Sequence, residues 1–225
     1  MHDLLRSAPL FAHLDDAAWS ALHPRLTQRS LARGEHLFRE GDPGDALHVV
    51  VEGKVKICRT ANDGRENVLA VLGPGDLLGE LSLFDSQPRG AAAVAVTDAT
   101  LATLPRDGFA GWLKECPHVS LDLLRALAVR LRQTNEAMAD LVFTDVPGRI
   151  AKTLLGLAAK FGEPDDDGGT RVAHDLTQEE LAQLVGASRE TVNKALAEFA
   201  ARGWLRLDGK AVVLLDADRL ERRAH

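Results

Sequence analysis

The stretch DLTQEELAQLVGASRETVNKALAEFAARG, residues Asp175–Gly203, decides how this chain is read. Thr177 followed three residues later by Glu180 is a capping box, so a helix starts there. Leu181, Leu184 and Val185 form its apolar side, and Gly186 ends it. Ser188 can cap a second helix immediately afterwards. Helix, glycine turn, helix is the helix-turn-helix pattern. At about 100° per residue, Arg189, Glu190, Asn193 and Lys194 fall within roughly 140° of one another on the second helix. Val192, Ala195, Leu196 and Phe199 fall on the opposite side. The polar face collects side chains that match base edges: Arg suits guanine, Asn adenine, and Glu accepts from cytosine. Lys194 can reach a base or a phosphate, and Ser188 and Thr191 are placed for phosphate oxygens. An ordinary amphipathic helix would also have a polar face, so the context must decide.

Downstream, Gly203–Leu207 and Lys210–Leu215 flank Asp208-Gly209 and read as a β-hairpin, a wing. Upstream, residues 146–162 read as a helix, with Asp145 as its cap and Pro147 in its first turn. The acidic stretch Glu163–Gly169 reads as a solvated loop. Before that, Leu121, Leu124, Ala128, Leu131, Asn135, Met138 and Val142 recur at spacings of 3 and 4, a heptad seam in residues 117–144. The regular seam with Asn135 inside it points to a parallel homodimer, and Phe143–Val146 is the natural hinge.

Residues 31–108 change character. Leu47–Val51, Val55–Arg59, Val68–Leu72, Ala92–Val96 and Leu101–Leu104 are short aliphatic runs. Gly41–Asp45, Glu52-Gly53, Asn62-Asp63-Gly64 and Gly73–Asp76 punctuate them as turns. Such spacing predicts a sandwich or barrel. Residues 1–30 look helical, with Leu4, Leu5, Leu10, Leu14, Trp19, Leu22 and Leu26 interrupted by Pro9 and Pro24. The expected fold is therefore α+β: an N-terminal β-roll domain in 1–116, a long dimerisation helix and hinge in 117–145, and a winged helix-turn-helix in 146–225.

The whole chain of 225 residues is 45% hydrophobic and 27% charged, an ordinary globular balance. No apolar run reaches the roughly 18–20 residues of a membrane span. Met1–Arg6 has an early acid and no long apolar run, so no secretion signal is expected. Cys58 and Cys116 are too few for a disulfide scaffold or an iron–sulfur cluster and fit a reducing cytoplasm. The net charge of −6 gives no general attraction to nucleic acid. Even from His174 onward eight Lys/Arg meet nine Asp/Glu. DNA binding must rest on particular side chains, with salt dependence set by a few phosphate contacts.

The order of β-roll, long helix and winged helix-turn-helix resembles the cyclic AMP receptor protein (CRP/FNR) regulators over nearly the whole chain. Phe143–Arg149 (FTDVPGR) and Asp175–Gly203 resemble the actinobacterial branch, and Ser188–Val192 is the most specific motif. The resemblance implies a transcription regulator in which Arg189, Glu190 and Lys194 read bases in a palindrome related to TGTGA-N6-TCACA. Thr177, Gln178, Ser188 and Thr191 would hold the DNA backbone, and Asn193 would join either set. A dimer would present its recognition helices about one DNA turn, ~34 Å, apart. RNA polymerase is a further partner to consider.

Gly79-Glu80-Leu81-Ser82-Leu83-Phe84 resembles the family's phosphate-binding cassette, a short helix after a glycine whose free N–H groups attract a phosphate. By resemblance Glu80 would accept from the ribose 2′-hydroxyl and Arg89 would pair with the cyclic phosphate. Thr134 and Asn135 would meet the adenine, one from each subunit. Ligand would re-register the dimer helices, turn the hinge and set the recognition-helix spacing. The expected effector is cAMP. One departure weakens that: the family's hydroxyl residue after the arginine is absent from Arg89-Gly90-Ala91-Ala92-Ala93. Losing a hydrogen bond to a charged group costs about 1.5–3 kcal/mol. Three readings stay open: weaker cAMP binding with backbone N–H groups of Gly90 or Ala91 compensating, another nucleotide such as cGMP or a cyclic dinucleotide, or DNA binding without ligand. Rivals of other classes are a cupin-like metalloenzyme, a haem sensor and a nucleotide-binding module acting on a protein partner. Only His36 and His48 lie in the β region, without a His-x-His pair, and no catalytic constellation or axial ligand stands out.

Overall fold

The computed structural model describes residues 5, 11, 14–61, 64, 66–166 and 168–224. Leu4 and Leu10 of the expected first helix, the turn residues Asn62 and Asp63, and Asp167 of the acidic stretch lie outside them. The chain forms two compact units, Met1–Gly64 with Ala70–Gln133, and Arg65–Leu69 with Thr134–His225.

In the first unit α1 spans Asp16–Leu22, capped by Asp15, whose carboxylate accepts from the Ala18 amide at 2.7 Å. Residues 23–25 tighten into a 3-10 turn around Pro24, and the chain then becomes strand β1, Thr27–Leu31. The expected helix over 1–30 is thus corrected at its end. A proline-closed turn stops the helix, and residues 27–31 find their hydrogen bonds on a neighbouring strand. The strands that follow are β2 (His36–Phe38), β3 (Ala46–Glu52), β4 (Val55–Thr60), β5 (Glu66–Leu72) and β6 (Leu77–Leu78). A short helix α2, Leu81–Asp85, precedes β7 (Ala92–Ala95) and β8 (Ala99–Pro105). Two four-stranded sheets result, ordered β1-β8-β3-β6 and β2-β7-β4-β5. Helix α3, Arg106–Glu115, follows β8, and α4, Val119–Phe143, follows α3. Strands β1, β2 and β6 and helix α3 were not foreseen. Their runs are too short or too mixed for either apolar period to show.

Alternation along the central strands divides the core. Leu47 and Val49 of β3 and Ala102 and Leu104 of β8 pack with Trp19, Phe109 and Trp112 of the helices. Val50, Leu101 and Ala99 point the other way, between the sheets, with Leu37, Val55, Ala93 and Ala95. His48 shares that inner side. It is 3% exposed, and its Nδ1 lies 2.9 Å from the Thr103 hydroxyl.

In the second unit α5 spans Val146–Phe161, and Asp145 caps it by accepting from the Gly148 amide at 2.9 Å. Strands β9 (Gly162–Pro164) and β10 (Thr170–Ala173) come next, then α6 (Gln178–Val185) and α7 (Arg189–Ala201). Strands β11 (Leu205–Asp208) and β12 (Ala211–Leu214) and helix α8 (Ala217–Ala224) complete it. The sheet order is β11-β12-β10-β9, so Glu163 and Pro164 belong to an edge strand and not to a loop. Proline is tolerated there because an edge strand need not donate on both sides. The hairpin is present, but its turn is shifted by one residue. Asp208 pairs with Ala211, so Gly209 and Lys210 form the loop, and only Gly209 has a positive φ, +59°. That is the pattern of a turn with glycine first. No described helix is long and apolar enough to cross a membrane.

Burial, then the positive charges of Arg89 and Arg29, lower the His48 pKa from 6.5 to about 4, with Asp45 opposing. A folded pKa below the unfolded one contributes stability that is complete above pH 6.5 and lost as pH falls toward 4. The size is about 3 kcal/mol. His48→Leu should therefore flatten the acid limb of a urea-unfolding series between these pH values. An unchanged limb would show that His48 titrates normally.

Candidate functional site

Two regions hold the residues singled out by sequence. In the first unit, Gly79 follows β6 with φ +81°. A Cβ there would stand 2.6 Å from an Arg89 guanidinium nitrogen and 3.2 Å from the Ala46 carbonyl oxygen, so glycine is required both by conformation and by space. Glu80 and Ser82 are buried, whereas Leu81 is 58% exposed. Arg89 is 3% exposed, unusual for a cation. Its guanidinium donates to the Gly79 and Ala46 carbonyls, each at 2.6 Å. It lies 3.6 Å from Asp45 Oδ1 and 4.4 Å from the centre of the Phe38 ring. Its Nε is buried with no hydrogen-bond acceptor among the described residues. Burial pulls the Arg89 pKa below its ordinary value, while the charges of Asp45 and Glu80 oppose the shift. The arginine stays a cation at neutral pH.

Gly79, Glu80, Ser82 and Arg89 are thus brought together, with Gly90 and Ala91 continuing the chain beside them. Gly90 is exposed, and a Cβ added there would meet nothing within 4 Å. Thr134 and Asn135 belong to the other unit and are both exposed on α4. Asp45, Ala46 and Phe38, which hold Arg89, escaped the sequence reading. The segment Gly41–Asp45 reads only as a turn, and a carbonyl carries no side-chain signal.

In the second unit α6 begins with the full capping box. Thr177 Oγ1 accepts from the Glu180 amide at 3.2 Å, and the Thr177 amide donates to Glu180 Oε2 at 2.8 Å. Gly186 closes the helix in the left-handed region, φ 71°. Ser188 caps α7 by accepting from the Thr191 amide at 3.1 Å, and the two hydroxyls are 2.8 Å apart. Thr177, Ser188 and Thr191 are therefore engaged in capping as well as exposed. Gln178 is half-buried. Val192, Ala195, Leu196 and Phe199 are buried, and Arg189, Glu190, Asn193 and Lys194 are all exposed. The four polar side chains stand at the positive end of α7, where unpaired N–H groups also favour a phosphate.

Arg149 of α5 was missed by sequence reading. Its guanidinium donates to Thr144 O at 2.8 Å, Val185 O at 3.0 Å and Gly186 O at 3.1 Å. The end of α4 is thereby tied to the turn that precedes α7. Lys152 pairs with Asp140 at 2.5 Å, and Arg223 of α8 holds Asp145 at 2.6 Å. The Arg223 guanidinium, then the Gly148 amide, keep the Asp145 carboxyl below its usual range. The expected hinge at Phe143–Val146 is thus bound into this unit at Thr144 and Asp145.

Two family models match the chain: a cyclic nucleotide-binding domain over residues 28–116 and a Crp-like helix-turn-helix domain over residues 148–223. Together they define a nucleotide-responsive, DNA-binding regulator. The chain is 53% identical over 224 residues to the CRP-like cAMP-activated global transcriptional regulator of Mycobacterium tuberculosis, covering 100% of both. It is 36% identical to the cyclic AMP receptor protein of Thermus thermophilus, covering 96% of this chain and 97% of the relative. A solved structure of the c-di-GMP-responsive global regulator of Xanthomonas campestris superposes with a TM-score of 0.74 at 31% identity, covering 89% of this chain and 99% of that one. The chain belongs to the CRP family of transcriptional regulators.

Arg149→Met removes the donor to three carbonyls while keeping most of the side chain's apolar bulk. The second unit should lose about 2 kcal/mol of stability, the scale of charged hydrogen bonds partly open to water. Denaturant unfolding checks this; an unchanged midpoint would mean that water replaces the clasp.

Proposed function

We propose that this regulator works in the cytoplasm as a homodimer that takes cAMP in its β-roll and binds a palindrome related to TGTGA-N6-TCACA. The observation that carries the effector site is the buried Arg89 guanidinium, anchored on the carbonyl of Gly79 and with its Nε unspent. A buried cationic donor at the head of a short helix suits a cyclic phosphate. Gly79, Leu81, Ser82, Gly90 and Ala91 would supply backbone or hydroxyl contacts, and Glu80 would accept from the ribose. Thr134 and Asn135 keep the role that the family resemblance gives them, contact with the adenine.

The dimer rests on α4. All seven seam residues, from Leu121 to Val142, are exposed in the single chain, Leu124 and Leu131 each by 62%. Such a stripe at heptad spacing suits burial against a partner helix. The DNA reading rests on Arg189, Glu190, Asn193 and Lys194, with Thr177, Gln178, Ser188 and Thr191 on the backbone. RNA polymerase is the partner through which a bound dimer would act on transcription. Domain limits of 1–116, 117–145 and 146–225 fit this division of labour.

Arg189→Ala should weaken binding to a duplex carrying the palindrome by about a hundredfold, one lost bidentate contact in each half-site. Its affinity for cAMP, read by calorimetry, should not change. Operator binding that survives intact would remove Arg189 from the interface.

Gly90 favours a second reading, because the open space beside it would admit a larger ligand such as a cyclic dinucleotide. Calorimetry with cAMP, cGMP and c-di-GMP separates the two. The expected result is binding of cAMP, tightened about tenfold in Gly90→Ser by one restored hydrogen bond to a charged group. No heat with cAMP, together with tight operator binding in its absence, would overturn the effector assignment.

A further inference from the structure

Arg106 takes no part in the sites described above, yet it holds one of them. It is the first residue of α3 and is half-buried. Its guanidinium donates to Ser82 O at 2.6 Å, Leu83 O at 3.2 Å and Gly44 O at 2.7 Å. Its own amide donates to Asp45 O at 2.7 Å. We propose that Arg106 is a positioning residue for the effector site, setting nucleotide affinity without touching the nucleotide. This rests on the reading of Gly79–Ser82 as the phosphate-binding segment.

The reason lies in the length of α2. Five residues cannot sustain a helix by themselves. The last carbonyls of any helix lack partners within it. In α2 these include Ser82 and Leu83, and Arg106 binds both. A cation at that end also suits the negative end of the helix. The Gly44 carbonyl brings the β2–β3 loop into the same clasp. That loop lies directly on α2, since a Cβ on Gly44 would stand 2.0 Å from the Ser82 Cβ. The loop is also bound to the other side of the site. Gly41 N donates to Arg89 O and Arg89 N donates to Asp42 O, both at 2.8 Å. Arg106 therefore fixes α2, the loop and the surroundings of Arg89 as one rigid body before a ligand arrives. Preorganisation of this kind raises affinity because less ordering remains to be done on binding. The edge-on contact of Phe84 with Phe109, 5.5 Å between centres, joins α2 to α3 independently, so the fold does not hang on Arg106 alone.

The test is a cAMP titration of operator binding by the full-length wild-type protein, Arg106→Met and Arg106→Lys. For Arg106→Met the half-saturating cAMP concentration should rise about tenfold. The operator affinity at saturating cAMP should stay that of the wild type, which a general structural defect would not allow. Arg106→Lys, able to serve only part of the clasp, should fall between the two. Amide exchange at Leu81–Asp85 should quicken in Arg106→Met, with that of β3 and β8 unchanged. A half-saturation point within twofold of wild type would overturn the proposal, as would a lowered plateau that Lys does not rescue. If Arg106→Met does not fold, Arg106→Gln is judged by the same criteria. If the wild type itself binds no cAMP, the effector assignment fails separately. Amide exchange in the nucleotide-free proteins then decides the role of Arg106: faster exchange in α2 upholds the clasp and unchanged exchange overturns it.

Discussion

A guanidinium buried away from water must be given acceptors, and this constraint organises the first unit. Arg89 finds them in the carbonyls of Gly79 and Ala46, with Asp45 nearby and Phe38 beneath it. An unpaired buried charge would cost several kcal/mol. The β2–β3 loop, the end of β6 and the start of α2 are therefore drawn around one side chain. The same arrangement leaves Arg89 Nε unspent and Glu80 buried close by. In the proposed effector site, the place that would receive an anion is thus assembled by a cation that must be solvated by protein.

The second unit repeats the device with a different purpose. Arg149 collects the carbonyls of Thr144, Val185 and Gly186, and so connects the end of the long helix to the turn before α7. The recognition helix is placed by backbone acceptors on one side and by Val192, Leu196 and Phe199 on the other. Its outward face is left to Arg189, Glu190, Asn193 and Lys194. In a chain of net charge −6, this local presentation matters more than the overall charge.

The elements with strong local grammar were legible. The capping box at Thr177, the Ser188 cap and the Asp145 cap all form as their residue types require. The aliphatic runs of β3, β4, β5, β7 and β8 were visible because their apolar residues are consecutive or alternate. The strands β1, β2 and β6 were not, since each takes its hydrogen bonds from distant partners and has little apolar pattern of its own; β9, although it pairs with the adjacent β10, has no apolar pattern at all. Residues 27–30 and Glu163-Pro164 read otherwise for these two reasons respectively. The Asp-Gly hairpin was legible, but which two residues form its loop depended on the register with β12.

What the amino-acid sequence determined alone is the order of parts and the chemical character of each face. Periodicity, caps and turn residues act over a few positions and can be read directly. Only the tertiary structure decided how the functional side chains are held. Arg89, Arg106 and Arg149 are all held by carbonyl oxygens, which every residue possesses and no residue type announces. Each also has a partner far along the chain, as Ala46 lies from Arg89, Gly44 from Arg106 and Val185 from Arg149. The sequence showed that Arg189 and its neighbours face outward, and the family resemblance implied that Glu80 and Arg89 share one site. The fold alone revealed which backbone atoms hold Arg89 and which tie Arg149 to the turn before α7.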